Sequence, residues 1–345
     1  MTSAVNRVSA RRLLLLLPAL ALTACGDSRL PQLELTGSAM GTTFKVVLVE
    51  PPETLAADAL EGDIVASLRD VDDLASTWRD DSEISIFNAN PSIDWIVVSA
   101  EFCAVLQQAI SVSLETDGAF DVTVGPLVNL WGFGPDGQVL EPPSDAAIDA
   151  ALQSVGVDKL ETDCEDRLVR KASPSLYVDL SGWAKGYAVD EVAQLLDTHG
   201  LENYLVEIGG EVRVSGHNSE NRKWAIAIEA PSTSERVPHA VLRVTDTSIA
   251  TSGDYRNYFA YDGKNYSHTI DTRTGRPVTH DLAAVTVVNP SAAYADAMAT
   301  ALLVLGPEAG PSLASRLGIA GYFLVRNQTG IREITTPVFD QLSAQ

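Results

Sequence analysis

Between residues 203 and 289 the sequence reads almost entirely as strand, interrupted by turns at Gly209-Gly210, Gly216, Gly253 and Asp262-Gly263. A helix of small residues follows at about 292–305 and stops at Gly306. Strands gathered in one block, with helices in others, exclude the strict alternation of a parallel α/β fold. The pattern predicts an α+β fold, with mixed sheets packed on helices in a single structural unit.

The first half of the chain supplies the remaining elements. Leu33–Val49 reads as two strands about the turn at residues 37–41, the second alternating through Phe44, Val46 and Leu48. Leu60, Ile64, Leu68, Val71 and Ala75 recur at helical spacing within residues 55–76, and Phe102, Val105, Leu106, Ala109 and Ile110 do so within 99–116. A strand is predicted at Ile93–Val98 with Ile93, Trp95 and Val97 on one face. Residues 117–137 carry five glycines and read as a long loop, a feature more often functional than idle. Beyond it come a short helix near 145–155, strands at 167–171 and 176–180, and a helix at about 183–199 closed by Gly200. Final strands fall near 319–326 and 331–336.

The N-terminus reads as an address, not as part of the fold. Arg7, Arg11 and Arg12 precede the apolar run Leu13 to Leu22, and the sequence Leu22-Thr23-Ala24 leads into Cys25. A basic start, a short apolar stretch and a small-residue exit describe an export signal. The run is about half of the ~20 residues a membrane-spanning helix needs. The position of Cys25 resembles a bacterial lipobox, in which the cysteine is acylated and becomes the mature N-terminus. The expected layout is a signal peptide at 1–24, a short tether at 25–36 and a folded domain at 37–340. The expected location is the cell envelope, lipid-anchored to a membrane and facing the periplasm.

Charge narrows the partners. Removing residues 1–24 discards three arginines and no acids, which leaves 46 acids against 21 bases, or −25. No Lys/Arg cluster exists to neutralise a nucleic-acid backbone, so a nucleic-acid partner is not expected. A phosphate-bearing ligand would need local help: a metal ion, helix N-termini or a few well-placed bases. Two other cysteines, Cys103 and Cys164, show no C-x-x-C or zinc spacing; they either pair in an oxidising compartment or remain buried thiols.

Four segments carry groups suited to chemistry. Asp296 and Thr300 stand four apart on one helix face among small residues, a hard-oxygen edge suited to Mg²⁺. The same spacing also serves an acid near a helix start and a threonine bonded back to a carbonyl. In Asp179-Leu180-Ser181-Gly182-Trp183-Ala184-Lys185-Gly186 an apolar strand turns through small residues into a helix with Lys185 in its first turn. Such a start makes an anion site, although the pattern is neither a dinucleotide fingerprint nor a Walker A loop. His268, in a dense polar motif at a strand end, is a proton acceptor candidate near neutral pH. Met40, Trp78 and the run Gly118-Ala119-Phe120-Asp121 offer flat apolar surfaces with polar edges, suited to stacking on a planar ring.

Taken together these segments resemble the ApbE family, the FAD:protein FMN transferases. The matching blocks are GSAMGTTFKV (37–46), DSEISIFN (81–88), GAFDVTVGPL (118–127), VDLSGWAKGYAVD (178–190), YLVEIGGEV (204–212), ATSGDYRNYF (250–259), SHTIDTRTGRPV (267–278) and ADAMATALLVLG (295–306). They fall in order and cover nearly the whole mature chain. The resemblance implies a T-fold-like α+β core and Mg²⁺-dependent transfer of FMN from FAD to a threonine or serine hydroxyl, with release of AMP. It implies a metal site at Asp296 and Thr300, completed near Gly182. It implies FAD contacts at Met40, Trp78, Ala119, Phe120, Asp121, Asp179, Lys185 and Ile270, and a base at His268. The implied partners are FAD and acceptor proteins bearing a flavinylation motif, membrane electron-transfer subunits among them. Ser181, Trp183 and Thr272 depart from the family pattern, where glycine, a smaller residue and proline are common. Two further functions use the same residues: hydrolysis of FAD to FMN and AMP, and FAD binding without chemistry.

Overall fold

The computed structural model describes residues 29–231, 237–255 and 257–344. The signal segment 1–24 and Cys25 lie outside the described residues. Among those described, no helix is long and apolar enough to cross a membrane.

Eight strands form the central sheet: β1 (Gln32–Ala39), β2 (Thr42–Val49), β3 (Tyr204–Ile208), β4 (Glu211–Ser215), β5 (Thr247–Gly253), β6 (Leu282–Asn289), β7 (Ala320–Asn327) and β8 (Gly330–Thr335). Their order across the sheet follows their order in the chain, and every neighbouring pair is antiparallel. Residues 32–36, expected as the end of a tether, are already the outer strand of this sheet, with Leu35 opposite Val46. The turn between β1 and β2 is reduced to Met40 and Gly41, both at positive φ.

The helices are α1 (Ala57–Ala75), α2 (Glu83–Ala89), α3 (Ala100–Glu115), α4 (Gly125–Leu130), α5 (Asp145–Leu152), α6 (Ala184–Thr198), α7 (Ala292–Leu317) and α8 (Pro337–Ser343), of which α1, α6 and α7 pack on one face of the sheet. Alternation along β2 divides the core, as the pleat requires. Val46 and Leu48 point to the α1–α6 side with Ile64, Leu68 and Val192, whereas Val47 and Val49 meet Val214, Trp224 and Leu242 on the other face. That second face is covered by the hairpin Trp224–Glu229/Pro238–Val244 and by α8. Apolar burial of this kind, on the order of 1.5–3 kcal/mol per large side chain, is what holds the layers together.

Several sequence expectations are corrected. The strand near Ile93 shrinks to Ile96–Val97, and Ile93, Trp95 and Val97 are exposed. Val98 is the buried residue, and the Arg170 guanidinium lies over Trp95, 4.9 Å from its ring centre. The loop at 117–137 contains α4, because Pro126 at the first turn needs no amide partner there. Residues 176–180 are extended but belong to no sheet. The Asn88 amide takes the place of a strand partner, donating to the Val178 carbonyl at 2.8 Å and accepting the Val178 amide at 2.7 Å. The helix expected at 292–305 does break at Gly306, where the backbone is non-helical at φ 80° and ψ −174°, but a second helical segment, not predicted from the sequence, follows directly to Leu317. Cys103 and Cys164 are joined as a disulfide, which resolves the alternatives left by their spacing.

Candidate active site

Two helix starts are brought face to face by a carboxylate cap. Asp190 of α6 accepts the amides of Ala292 and Ala293 at 2.9 and 3.0 Å and the Ser291 hydroxyl at 2.8 Å, and so pins the start of α7 against α6. Gly186 permits the approach: a methyl group at its Cα would sit 2.3 Å from the Ala292 carbonyl oxygen. One turn into α7, Asp296 therefore meets the first turn of α6. Its Oδ2 accepts the Gly186 amide at 3.1 Å and lies 3.5 Å from Lys185 Nζ.

The strand-to-helix turn that carries Lys185 is also built by a carboxylate. Asp179 Oδ1 accepts the Ser181 amide at 2.7 Å, closing an Asx-type turn before α6 begins. Ser181 thus contributes its backbone, and Trp183 beside it is buried in the core at 2% exposure. Thr272, the third departure from the family pattern, is buried and donates its hydroxyl to the Gly118 carbonyl, tying the segment that follows His268 to the loop that holds Ala119–Asp121. Asp121 accepts the Thr123 amide at 2.8 Å and the Thr123 hydroxyl at 2.6 Å. Burial raises its carboxyl above the usual range despite those bonds.

These segments enclose a cavity of about 460 Å³. Trp78, Ala119, Phe120, Asp121, Asp179, Gly182, Lys185, His268, Ile270, Asp296 and Thr300 all line it, so eleven positions scattered from 78 to 300 in sequence converge on one space. Met40 is the predicted residue not among the lining; it packs half-buried against the apolar clusters beneath the β1–β2 turn. Trp78 stands at the edge, 68% exposed.

His268 has a defined orientation. Its Nδ1 is 3.0 Å from the Asn257 carbonyl oxygen, so that nitrogen carries the proton and Nε2 is left as the acceptor. Phe133 packs edge-on against the ring at 6.3 Å. Burial lowers the imidazole below its ordinary value, opposed by the Asn257 bond. The ring is therefore neutral, and competent to take a proton, at physiological pH.

Glu211, Ser252 and Tyr255 also line the cavity and escaped sequence reasoning. Ser252 of β5 places its hydroxyl 3.0 Å from Thr300 Oγ1. Glu211, at the start of β4, is 3% exposed, and its Oε1 lies 3.3 Å from Lys185 Nζ. Burial raises the Glu211 carboxyl, and Lys185 opposes that shift. For Lys185 burial works against the charge, but Asp296 and Glu211 outweigh it and hold the ammonium above its usual value. The only sequence signal for Glu211 was its place inside the block YLVEIGGEV, where a lone glutamate reads as a solvent residue.

The donor set suits one kind of metal ion. Among the described residues no group of three or more His, Cys, Asp or Glu is placed to hold one, which excludes the nitrogen- and sulfur-rich pattern of a zinc centre. What remains is one carboxylate with neutral oxygens. Asp296 and Thr300 share a helix face, the Ser252 hydroxyl adjoins Thr300, and a methyl at Gly182 would sit 3.4 Å from Thr300 Oγ1, so backbone approaches there too. Few protein oxygens, with room for water and phosphate, fit Mg²⁺.

Comparison with known proteins agrees with this geometry. The sequence model described as "ApbE family" matches residues 40–323. The chain belongs to the ApbE family. It is 42% identical over 329 residues to the FAD:protein FMN transferase of Vibrio cholerae, covering 95% of this chain and 98% of the relative. A similar match, 41% over 330 residues with 94% and 95% covered, joins it to the FAD:protein FMN transferase of Haemophilus influenzae. Among solved ApbE structures, the flavin transferase ApbE from Vibrio cholerae superposes with a TM-score of 0.84 at 40% identity, covering 91% of this chain and 99% of the other. The apo Pseudomonas stutzeri flavinyl transferase ApbE gives 0.84 at 40% identity, covering 92% and 98%.

Proposed function

We propose that this chain is a FAD:protein FMN transferase that moves FMN from FAD to a threonine or serine hydroxyl of an acceptor protein and releases AMP. The observation that carries the reading is the convergence of His268, Lys185, Asp296 and Thr300 on one cavity that also presents aromatic surface at Trp78 and Phe120.

The chemistry is a displacement at the FMN phosphorus. The acceptor hydroxyl forms a new P–O bond, the pyrophosphate P–O bond breaks, and AMP departs with the electron pair. His268 Nε2 takes the hydroxyl proton, held in orientation by the Asn257 carbonyl on the far side of the ring. Lys185 and the amides at the α6 start supply positive charge beside the phosphates in a protein that is otherwise acidic. Trp78, Phe120 and Ile270 offer apolar surface for the flavin or adenine ring. Asp296 and Thr300 would hold Mg²⁺, with the Gly182 backbone beside them. When bound, that ion offsets pyrophosphate charge and polarises the phosphorus. The walls of the cavity then hold attack in line.

Export and acylation of Cys25 belong to the same proposal. A lipid tether on an exported transferase would set the site beside membrane-bound electron-transfer subunits, which are the acceptors we infer. Release of AMP separates the activities. AMP formed in proportion to added acceptor, without matching free FMN, supports transfer; AMP matched by free FMN whether or not acceptor is present would assign hydrolysis instead.

A further inference from the structure

Glu211 is an unusual residue to find beneath this cavity. It is 3% exposed, opens a strand whose ladder bonds are made by backbone alone, and leaves Oε2 buried with no hydrogen-bond partner. A buried carboxylate with one oxygen unpaired is costly. Its ion-pair partner is Lys185, 3.3 Å from Oε1, and the Asp296 carboxylate is near enough to repel it.

Lys185 itself is shared. Its Nζ lies 3.3 Å from Glu211 and 3.5 Å from Asp296 Oδ2, close to midway between two buried carboxylates. Asp296 is the sole carboxylate of the oxygen set that fits a divalent cation, and an ammonium resting on it competes with that cation directly. An ammonium has three donors, and Glu211 offers it two oxygens, one of them unused.

We propose that Glu211 is a positioning residue that keeps Asp296 available to a divalent cation by giving Lys185 a second carboxylate to rest on. The inference rests on the reading of Asp296 and Thr300 as the cation site. An arriving cation neutralises Asp296, one of the charges that raise the Glu211 carboxyl, and Lys185 then moves onto Oε1 and Oε2, where its charge holds Glu211 ionised against burial. Without that charge Lys185 pairs fully with Asp296, and the cation must break a buried ion pair to bind.

The test is a Mn²⁺ titration of the mature chain in the absence of FAD, with free Mn²⁺ read by electron paramagnetic resonance. Glu211→Gln preserves shape and should weaken Mn²⁺ binding by about tenfold, the scale of losing one close charge partner. Lys185→Met removes the competitor and should bind Mn²⁺ more tightly than the wild type. The double variant should match Lys185→Met, and its restored binding also shows that Glu211→Gln folds. Two results overturn the inference alone: Glu211→Gln binding as well as wild type, or an equal loss from Glu211→Gln in both backgrounds, which would make the effect a direct attraction of the cation. Failure of the wild type to bind Mn²⁺ would overturn the cation site itself, and the inference with it.

Discussion

The backbone amide of Gly186 donates to Asp296 Oδ2 at 3.1 Å, joining the first turn of α6 to the second turn of α7. This one bond ties the packing of two helices to the orientation of the carboxylate we assign to the cation. It exists because Gly186 has no side chain, and because Asp190, one turn further along α6, caps α7 in register.

Gly186→Ala should therefore damage stability and function together. The added methyl would lie 2.3 Å from the Ala292 carbonyl oxygen and 2.7 Å from the Ala293 Cα. Both are backbone atoms, so the helices must move apart. A loss of about 1–3 kcal/mol in urea unfolding is expected, the usual cost of overpacking, with a fall in turnover as Asp296 loses its donor. An unchanged midpoint with normal turnover would contradict the close α6–α7 contact.

His268→Ala should slow the chemical step by about a hundred- to ten-thousandfold, the usual share of a positioned base, while FAD affinity changes little. The pH profile gives an independent check. A base works only when deprotonated, so activity falls as pH falls through its pKa. Burial lowers that pKa, which places the acid limb of kcat/KM below the ordinary imidazole value of about 6.5. A limb above that value, or one that persists in His268→Ala, would assign the base elsewhere.

Trp78 should matter for ligand and not for fold. At 68% exposure it contributes little to the core, yet it lines the edge of the cavity. Trp78→Ala should weaken FAD binding by about 1 kcal/mol, or about fivefold, as one lost ring contact. Its urea midpoint should stay where it is. Unchanged FAD affinity by fluorescence titration would remove Trp78 from the site.

The Cys103–Cys164 disulfide closes a 61-residue separation that includes Ala119, Phe120 and Asp121 of the cavity wall. Chain entropy alone predicts roughly 4 kcal/mol for a loop of that length. Reduction, or the Cys103→Ala/Cys164→Ala pair, should cost about 2–4 kcal/mol in urea unfolding. No shift on reduction would mean that the two sulfurs do not constrain the unfolded chain.

Much of the architecture was legible because it is periodic. The buried face of α1 was readable from Leu60 to Ala75, and the α+β class followed from strands gathered in blocks. Legibility failed where a tertiary partner replaced a regular one. Residues 176–180 look like a strand, but the Asn88 side chain supplies the partner that a neighbouring strand would. Ile93, Trp95 and Val97 alternate like a buried face yet remain exposed, because only Ile96 and Val97 form a strand, at the edge of a small sheet beside Leu168–Val169. In the site, Asp296, Thr300, Lys185 and His268 were readable as ordered motifs. Glu211 was not, since its burial depends on α6 and α7 closing over the start of β4, which no local pattern records.

The central claim is that this site moves FMN onto another protein. Its most direct test is the intact mass of a candidate acceptor domain after incubation with the mature chain, FAD and Mg²⁺, with Asp296→Ala in parallel. The account predicts that the acceptor gains the mass of one FMN, less water, on a threonine or serine, and that the Asp296→Ala reaction leaves it unmodified. An acceptor left unmodified while free FMN accumulates, or one modified equally well by Asp296→Ala, would contradict it.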